Sequence, residues 1–261
     1  VPEGDTLHHA ALRVGTVLTG HVPDAIETPH PRFGRDRWPE RLAGRGVELV
    51  EAVGKHLLLR FEGGLVIHSH LRMTGAWHVL RLGERWPRSA RSAWLVIRRD
   101  GHEVVQFGGP VLELMTATRV RNDRRIVDLG PDLVAQPPFD ETRLIGRLRA
   151  DDQTRGLGDA LLDQHIVAGI GNFWKSEGCW LAGVDPWRPL ADVSNDEALA
   201  VVRAIRPLMQ ESARHGRQGD YRVIYDKAGV PCPRCGPPAL VRARGQGDAN
   251  RTTYWCPACQ H

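Results

Sequence analysis

Apolar and polar residues alternate at two different periods along this chain, and the period changes near its middle. Leu7, Ala11 and Leu12 are spaced for one face of a short amphipathic helix over residues 6–14. After that the alternation has period two. Residues 47–53 (Val-Glu-Leu-Val-Glu-Ala-Val), 57–61 and 65–69 predict strands, the last two joined by a hairpin turn at Glu62-Gly-Gly64. Residues 93–98 and 103–107 predict a second hairpin around Asp100-Gly101. The first 120 residues or so therefore read as mostly antiparallel β, a sandwich or a barrel. Leu129-Gly-Pro-Asp-Leu133, with Pro137-Pro138 after it, marks a boundary. Beyond it the period becomes 3.6, and residues 142–150, 157–166, 172–181 and 196–215 predict helices.

The segment between two of those helices, His165-Ile-Val-Ala-Gly-Ile-Gly-Asn172, ends one and opens the next through glycines. Free backbone N–H groups at the start of the second helix would make a phosphate site, supported by the side chain of Asn172. A plain corner between two helices is the competing reading of the same residues.

The chain's last 30 residues hold four of its five cysteines, as Cys232-Pro-Arg-Cys235 and Cys256-Pro-Ala-Cys259. Two C-x-x-C pairs bring four thiolates to one tetrahedral ion, and a closed four-cysteine set leaves no position for a reacting water. The reading is one structural zinc per chain, holding a hairpin too small for its own core and presenting Arg251. A pair of disulfides is the alternative. Val1-Pro-Glu-Gly-Asp5 has neither a basic nor an apolar segment typical of export, which favours the metal and a reducing, cytoplasmic setting. The fifth cysteine, Cys179, reads as a small buried hydrophobe. No apolar run is long enough for a membrane span.

The formal charge of +4 leans toward polyanion partners. Only three of the 35 basic residues are lysine, namely Lys55, Lys175 and Lys227. A GC-rich genome explains the arginine excess, and by the same token a retained lysine suggests a need for its smaller ammonium or its labile proton.

A β domain, a helical module with a phosphate-binding corner and a zinc ribbon carrying an arginine already suggest DNA binding. The motifs sharpen that. Pro2-Glu3-Gly4 starts the chain, followed by Gly54-Lys55-His-Leu-Leu58, Ser69-His-Leu-Arg-Met-Thr-Gly75 and Leu129-Gly-Pro131. Leu162-Asp-Gln-His-Ile-Val-Ala-Gly-Ile-Gly-Asn172 and a finger with Asn250-Arg251-Thr and Cys256-x-x-Cys259-Gln260 complete the set. In order and spacing they resemble the formamidopyrimidine-DNA glycosylase/endonuclease VIII family of base-excision repair enzymes, over nearly the whole chain.

The resemblance implies an α+β multidomain fold. It comprises an N-terminal antiparallel β-sandwich with a flanking helix (1–125), a helix–two-turn–helix module (126–222) and a C-terminal β-hairpin zinc finger (223–261). It implies a bifunctional DNA glycosylase/AP lyase acting on damaged double-stranded DNA as a monomer. The Pro2 nitrogen would attack C1′ of the damaged nucleoside. The resulting iminium would draw electrons for β-elimination and then δ-elimination. With pKa values of about 7.8 for an α-amine and 10.4 for lysine, the neutral fraction at pH 7 favours an N-terminal nucleophile roughly 300-fold over an unperturbed Lys55. Glu3 would perform acid/base work on the sugar. Lys55 would reach a phosphate or donate a proton. Arg251 would clamp phosphates flanking the lesion. Met73 would fill the gap left by the flipped base, with Arg72 facing the orphaned partner base.

Pro2-Glu3-Gly4 is the endonuclease VIII style of start. The stretch Gln106-Phe-Gly-Gly-Pro110 lacks the arginines of the void-filling segment of the formamidopyrimidine branch. Oxidised pyrimidines are the expected substrates. Asp5-Thr6 replaces a common Pro-Glu, so a second N-terminal carboxylate has moved or gone. Val1 precedes Pro2 and would turn the nucleophile into an amide. The reading is a GUG start codon, decoded as methionine and removed. Two other classes remain: a catalytically silent binder of lesions or abasic sites, and a zinc-ribbon transcription or translation factor, which explains only the last 35 residues or so.

Overall fold

A computed structural model describes residues 2–33, 36–135 and 138–261 of the chain. Val1 and Pro137, on which two of the sequence expectations turn, lie outside the described residues. The rest forms two compact units. One is Pro2 with residues 6–127, the other residues 3–5 with 128–261.

The first unit is built from two antiparallel sheets of four strands. The strands are β1 (Ala25–Glu27), β2 (Val47–Val53), β3 (His56–Phe61), β4 (Leu65–His70), β5 (Ala76–Arg81), β6 (Ala93–Arg99), β7 (His102–Phe107) and β8 (Val111–Thr116). One sheet has the order β1-β6-β7-β5 and the other β2-β3-β4-β8. Helix α1 (Gly4–Leu18) runs well beyond the predicted stretch, and α2 (Trp38–Leu42), α3 (Ala117–Arg121) and α4 (Arg124–Val127) are short. Period-two alternation turns Leu57, Leu59, Phe61 and Ile67 of one sheet and Leu95, Ile97 and Val104 of the other into a single core. Leu7, Val14 and Leu18 of α1 join it at the predicted helical spacing. Strands β5 and β8 escaped the sequence reading because their alternation is weak, with few fully buried positions.

Gly54 and Lys55 form the two-residue turn between β2 and β3, in register with Val53 opposite His56. Gly54 has φ +58°, the conformation that such a turn requires and only glycine adopts cheaply.

The second unit contains α5 (Glu141–Ala150), α6 (Leu157–Ala160), α7 (Asn172–Ala182) and α8 (Asn195–His215), then an antiparallel pair, β9 (Arg242–Gln246) and β10 (Arg251–Trp255). The helix predicted over 157–166 stops at Ala160. Beyond it the backbone continues in turns, with the Ile166 N–H donating to the Asp163 carbonyl at 3.0 Å, and side chains brace them. Asp163 Oδ1 accepts from the N–H of His165. Gln164 donates to the carbonyls of Leu162 and Ile170 and accepts from the N–H of Gly169. Apolar spacing alone does not show this. Gly130 lets the preceding segment close on that loop, since a Cβ there would lie 2.3 Å from the Ile166 carbonyl oxygen.

On the face of the second sheet away from the main core, three histidines run across the strands. His56 stands opposite His70, and His68 opposite Glu113. His56 Nδ1 and His68 Nε2 are 2.8 Å apart, sharing one proton. Burial, reinforced by His70, His68 and Arg125, pushes the His56 pKa down to about 3. Burial, with Arg72 and Lys55, pushes His70 to about 4. Burial and Arg125 also lower His68, against the pull of Glu113 and Asp123. The folded unit thus holds neutral imidazoles that the unfolded chain protonates near 6.5. The stability this contributes is complete above pH 6.5 and is lost as the pH falls toward 4 and 3. His56 alone removes about 2 kcal/mol by pH 5. Urea unfolding at about pH 7.5 and about pH 5 measures the loss. His56→Gln should shrink the difference, and an unchanged difference would place the acid sensitivity elsewhere.

Candidate active site

Glu3 is almost completely buried, an unusual place for a carboxylate without a partner. Its partners are main-chain groups at the start of α7. Oε2 accepts from the N–H of Gly171 at 2.9 Å and of Trp174 at 3.3 Å, and Oε1 from that of Phe173 at 2.8 Å. A helix start offers N–H groups with no carbonyl partner and a positive dipole end, so each side satisfies the other. The anion at this corner is therefore the chain's own Glu3, which corrects the expectation of free N–H groups awaiting a phosphate. Two glycines permit the close approach of these segments. A Cβ on Gly171 would lie 2.3 Å from Glu3 Cδ, and one on Gly4 would lie 2.6 Å from Gly169 Cα. The Gly4 N–H donates to the Gly169 carbonyl at 2.8 Å.

Asn172 is the first residue of α7 rather than its cap. Gly171 is the N-cap, with no side-chain cap bond. The Asn172 amide instead donates to the Thr252 carbonyl on β10 at 2.5 Å. Arg251 begins that strand and is exposed. It pairs in register with Gln246. In this unit the fold thus brings together Glu3, Asn172 and the strand that carries Arg251, all referred to the first turn of α7. Asp5 shows where a second N-terminal carboxylate went. It is fully buried and accepts from Ser212 Oγ at 2.5 Å and Gln218 Nε2 at 3.0 Å. The scarcity of lysine in the sequence singles out Lys175 without giving it a role, and the structure buries it fully in α7.

In the first unit, Pro2 is half-buried. Lys55 sits half-buried at its turn, close enough to help depress His70. The β4–β5 connection holds Arg72 and Met73 outward. Arg72 has φ +51°, a strained setting for a side chain with a Cβ, and its N–H donates to His70 Nδ1. Met73 is 53% exposed, so it is not a core methionine. The β7–β8 connection is only Gly108-Gly109-Pro110, and Phe107 before it is buried in the sheet.

The Sγ atoms of Cys232, Cys235, Cys256 and Cys259 all lie within 4.8 Å of one another. The pairs Cys232–Cys259 and Cys235–Cys256 are each 3.9 Å apart. Four sulfurs at about 2.3 Å from a tetrahedral ion would stand about 3.8 Å from each other, so the cluster fits a metal and is too open for S–S bonds. His68, Glu113 and Asp123 also converge. There the guanidinium of Arg125 already bonds both carboxylates and supplies the positive charge. Cys179 is fully buried and its thiol pushed up to about 12 by desolvation, as befits a packing residue.

A profile of the formamidopyrimidine-DNA glycosylase N-terminal domain matches residues 1–110, and one of the formamidopyrimidine-DNA glycosylase H2TH domain matches residues 129–222. A Streptomyces coelicolor protein named probable endonuclease 8 2 is 39% identical, over all of this chain and 94% of its own. A Mycolicibacterium smegmatis protein named DNA-(apurinic or apyrimidinic site) lyase Nei2 is 33% identical, over all of this chain and 99% of its own. Lactococcus lactis formamidopyrimidine-DNA glycosylase, solved bound to DNA containing an AP site, shares the fold with a TM-score of 0.83 and 23% identity, over the full length of both chains.

Gly171→Ala should displace the Glu3 carboxylate and cost ~1–3 kcal/mol in urea unfolding. Gly146→Ala, with no atom within 4 Å of the added Cβ, is the control and should be neutral or stabilising. Equal behaviour of the two variants would deny the contact its structural weight.

Proposed function

The chain belongs to the formamidopyrimidine-DNA glycosylase/endonuclease VIII family, and we propose that it is a bifunctional DNA glycosylase/AP lyase of base-excision repair. The observation that carries the active-site assignment is the fixed Glu3 carboxylate, directly after Pro2 in the chain and bound by three N–H groups of one helix turn. Such a carboxylate cannot drift, and a fixed acid directly after Pro2 supports chemistry at this end over passive binding.

In this reading the neutral Pro2 nitrogen attacks C1′ and the damaged base leaves with a proton. The sugar ring opens, with Glu3 moving the proton at the ring oxygen. The adduct is an iminium ion, whose positive charge acidifies the 2′ hydrogen. Loss of that proton expels the 3′ phosphate, and a second elimination expels the 5′ phosphate. Hydrolysis of the iminium frees Pro2. Lys55, at the tip of its turn, and the second N–H of the Asn172 amide bind phosphates. Arg251 holds the phosphates flanking the lesion through its paired donors. Met73 enters the stack in place of the flipped base, and Arg72 faces the orphaned base. Their outward placement supports this.

The partner is damaged double-stranded DNA and the protein acts as a monomer in the cytoplasm. The short β7–β8 connection, with no arginine to fill a void, supports oxidised pyrimidines over 8-oxoguanine. The ion in the four-cysteine cluster is zinc, purely structural because all four positions are thiolates. The functional division is a catalytic sandwich (1–125), a helix–two-turn–helix module (126–222) and a finger (223–261).

Borohydride trapping on a duplex with one abasic site tests the central step. Protein beginning at Pro2 should yield a reduced covalent complex joined through Pro2, and protein retaining Val1 should yield none. Absence of trapping by protein whose intact mass shows a Pro2 start would leave a silent lesion binder. Elemental analysis should find one zinc per chain, and its complete removal should abolish DNA binding while sparing the first unit's fold. Full binding by metal-free protein would remove the finger from the interface.

A further inference from the structure

Lys175 is the least expected residue in the second unit. It is a lysine in a chain that uses arginine almost everywhere else, and it is fully buried inside α7. Its Nζ donates to Thr253 Oγ1 on β10 at 2.5 Å. That bond fixes the direction of the next one, because Thr253 must then donate its own proton, which goes to Gln246 Oε1 at 2.7 Å. Gln246 in turn donates through Nε2 to the Pro186 carbonyl at 2.7 Å. All three side chains are buried, so no solvent competes for these bonds. Gln246 is the direct cross-strand partner of Arg251, and Thr253 stands two residues from Arg251 on the same face of the pair.

We propose that Lys175 is a positioning residue for the strand-cleavage chemistry: through Thr253 and Gln246 it locks the β9–β10 register and so sets where the Arg251 guanidinium stands. This rests on the lyase reading above. Physical size explains why the residue is not arginine. The site accepts one ammonium within bonding distance of a buried hydroxyl, and a planar guanidinium needs room for a fork of donors. Electrostatics agrees. Burial pushes Lys175 down to about 8, and the charges it feels include Glu3 drawing it up and Arg251 pressing it down. The same ammonium is thus coupled to the acid at the helix start and to the arginine on the strand.

The test compares Lys175→Met and Thr253→Val with the wild type, all starting at Pro2 and each checked for zinc content. Thr253→Val keeps volume and breaks the relay, so it serves if the lysine variant folds poorly. On abasic duplex DNA under single turnover, both variants should slow the second elimination by about 10- to 100-fold while the first stays within a few fold. Lys175→Gln, which keeps a donor, should recover part of the loss. Independently of activity, trypsin cleavage after Arg251, assigned by mass, should accelerate about 10-fold in the Met and Val variants as the hairpin opens locally. Wild-type ratios of the two eliminations together with a wild-type cleavage rate would overturn the proposal. So would an equal loss of both eliminations in parallel with zinc, since that reports packing alone. Failure of the wild type to trap speaks against the lyase reading, while the trypsin comparison still decides the role of Lys175 in holding the strand.

Discussion

A buried carboxylate at the third residue and the start of a helix 168 residues later each have a desolvation problem that the other solves. Glu3 takes three N–H groups of the first turn of α7. Neither group would be tolerated alone in a dry interior. Gly171 leaves room for the Glu3 carboxylate, and Gly4 leaves room for the close approach of Gly169, so glycines on both segments let the two meet.

Helix α7 then serves as a frame. All eight residues from Phe173 to Trp180 are buried, with polar members that would be costly without their partners. Glu177 accepts the N–H groups of Val223, Ile224 and Tyr225, fixing the approach to the finger. Burial raises its pKa, while those same N–H groups oppose the rise. Lys175 reaches β10, and Trp180 packs beside Cys232 and Cys256. The finger is too small to hold itself. It is held by a metal-ready thiolate cluster and by one helix that also fixes Glu3. The acid and the phosphate clamp proposed above would share that reference.

The first unit follows a different principle. Its sandwich core is ordinary alternation, and the groups we propose to meet DNA sit where alternation stops: Lys55 in a two-residue turn, Arg72 and Met73 in an outward loop. The line of neutral histidines beneath α3 and α4 is the price of polar residues on a covered sheet face, and it ends on the Arg125 pair with Glu113 and Asp123.

The strands at 47–53 and 93–98, the four-cysteine cluster and the motif set that names the family are legible in the linear chain. These depend on local periodicity or on fixed short spacings, which a linear chain displays directly. It also singled out Lys175 by scarcity, without a role. That Glu3 takes the N–H groups of Gly171, Phe173 and Trp174 is a matter of packing, because the contact joins residues 3 and 171. So is the pairing of Asp5 with Ser212, the passage of the 157–166 helix after Ala160 into turns braced by Asp163 and Gln164, and the contact of Lys175 with Thr253. Each is a polar contact between distant or irregular segments, where the partner of a buried group is set by packing and leaves no periodic trace in the sequence.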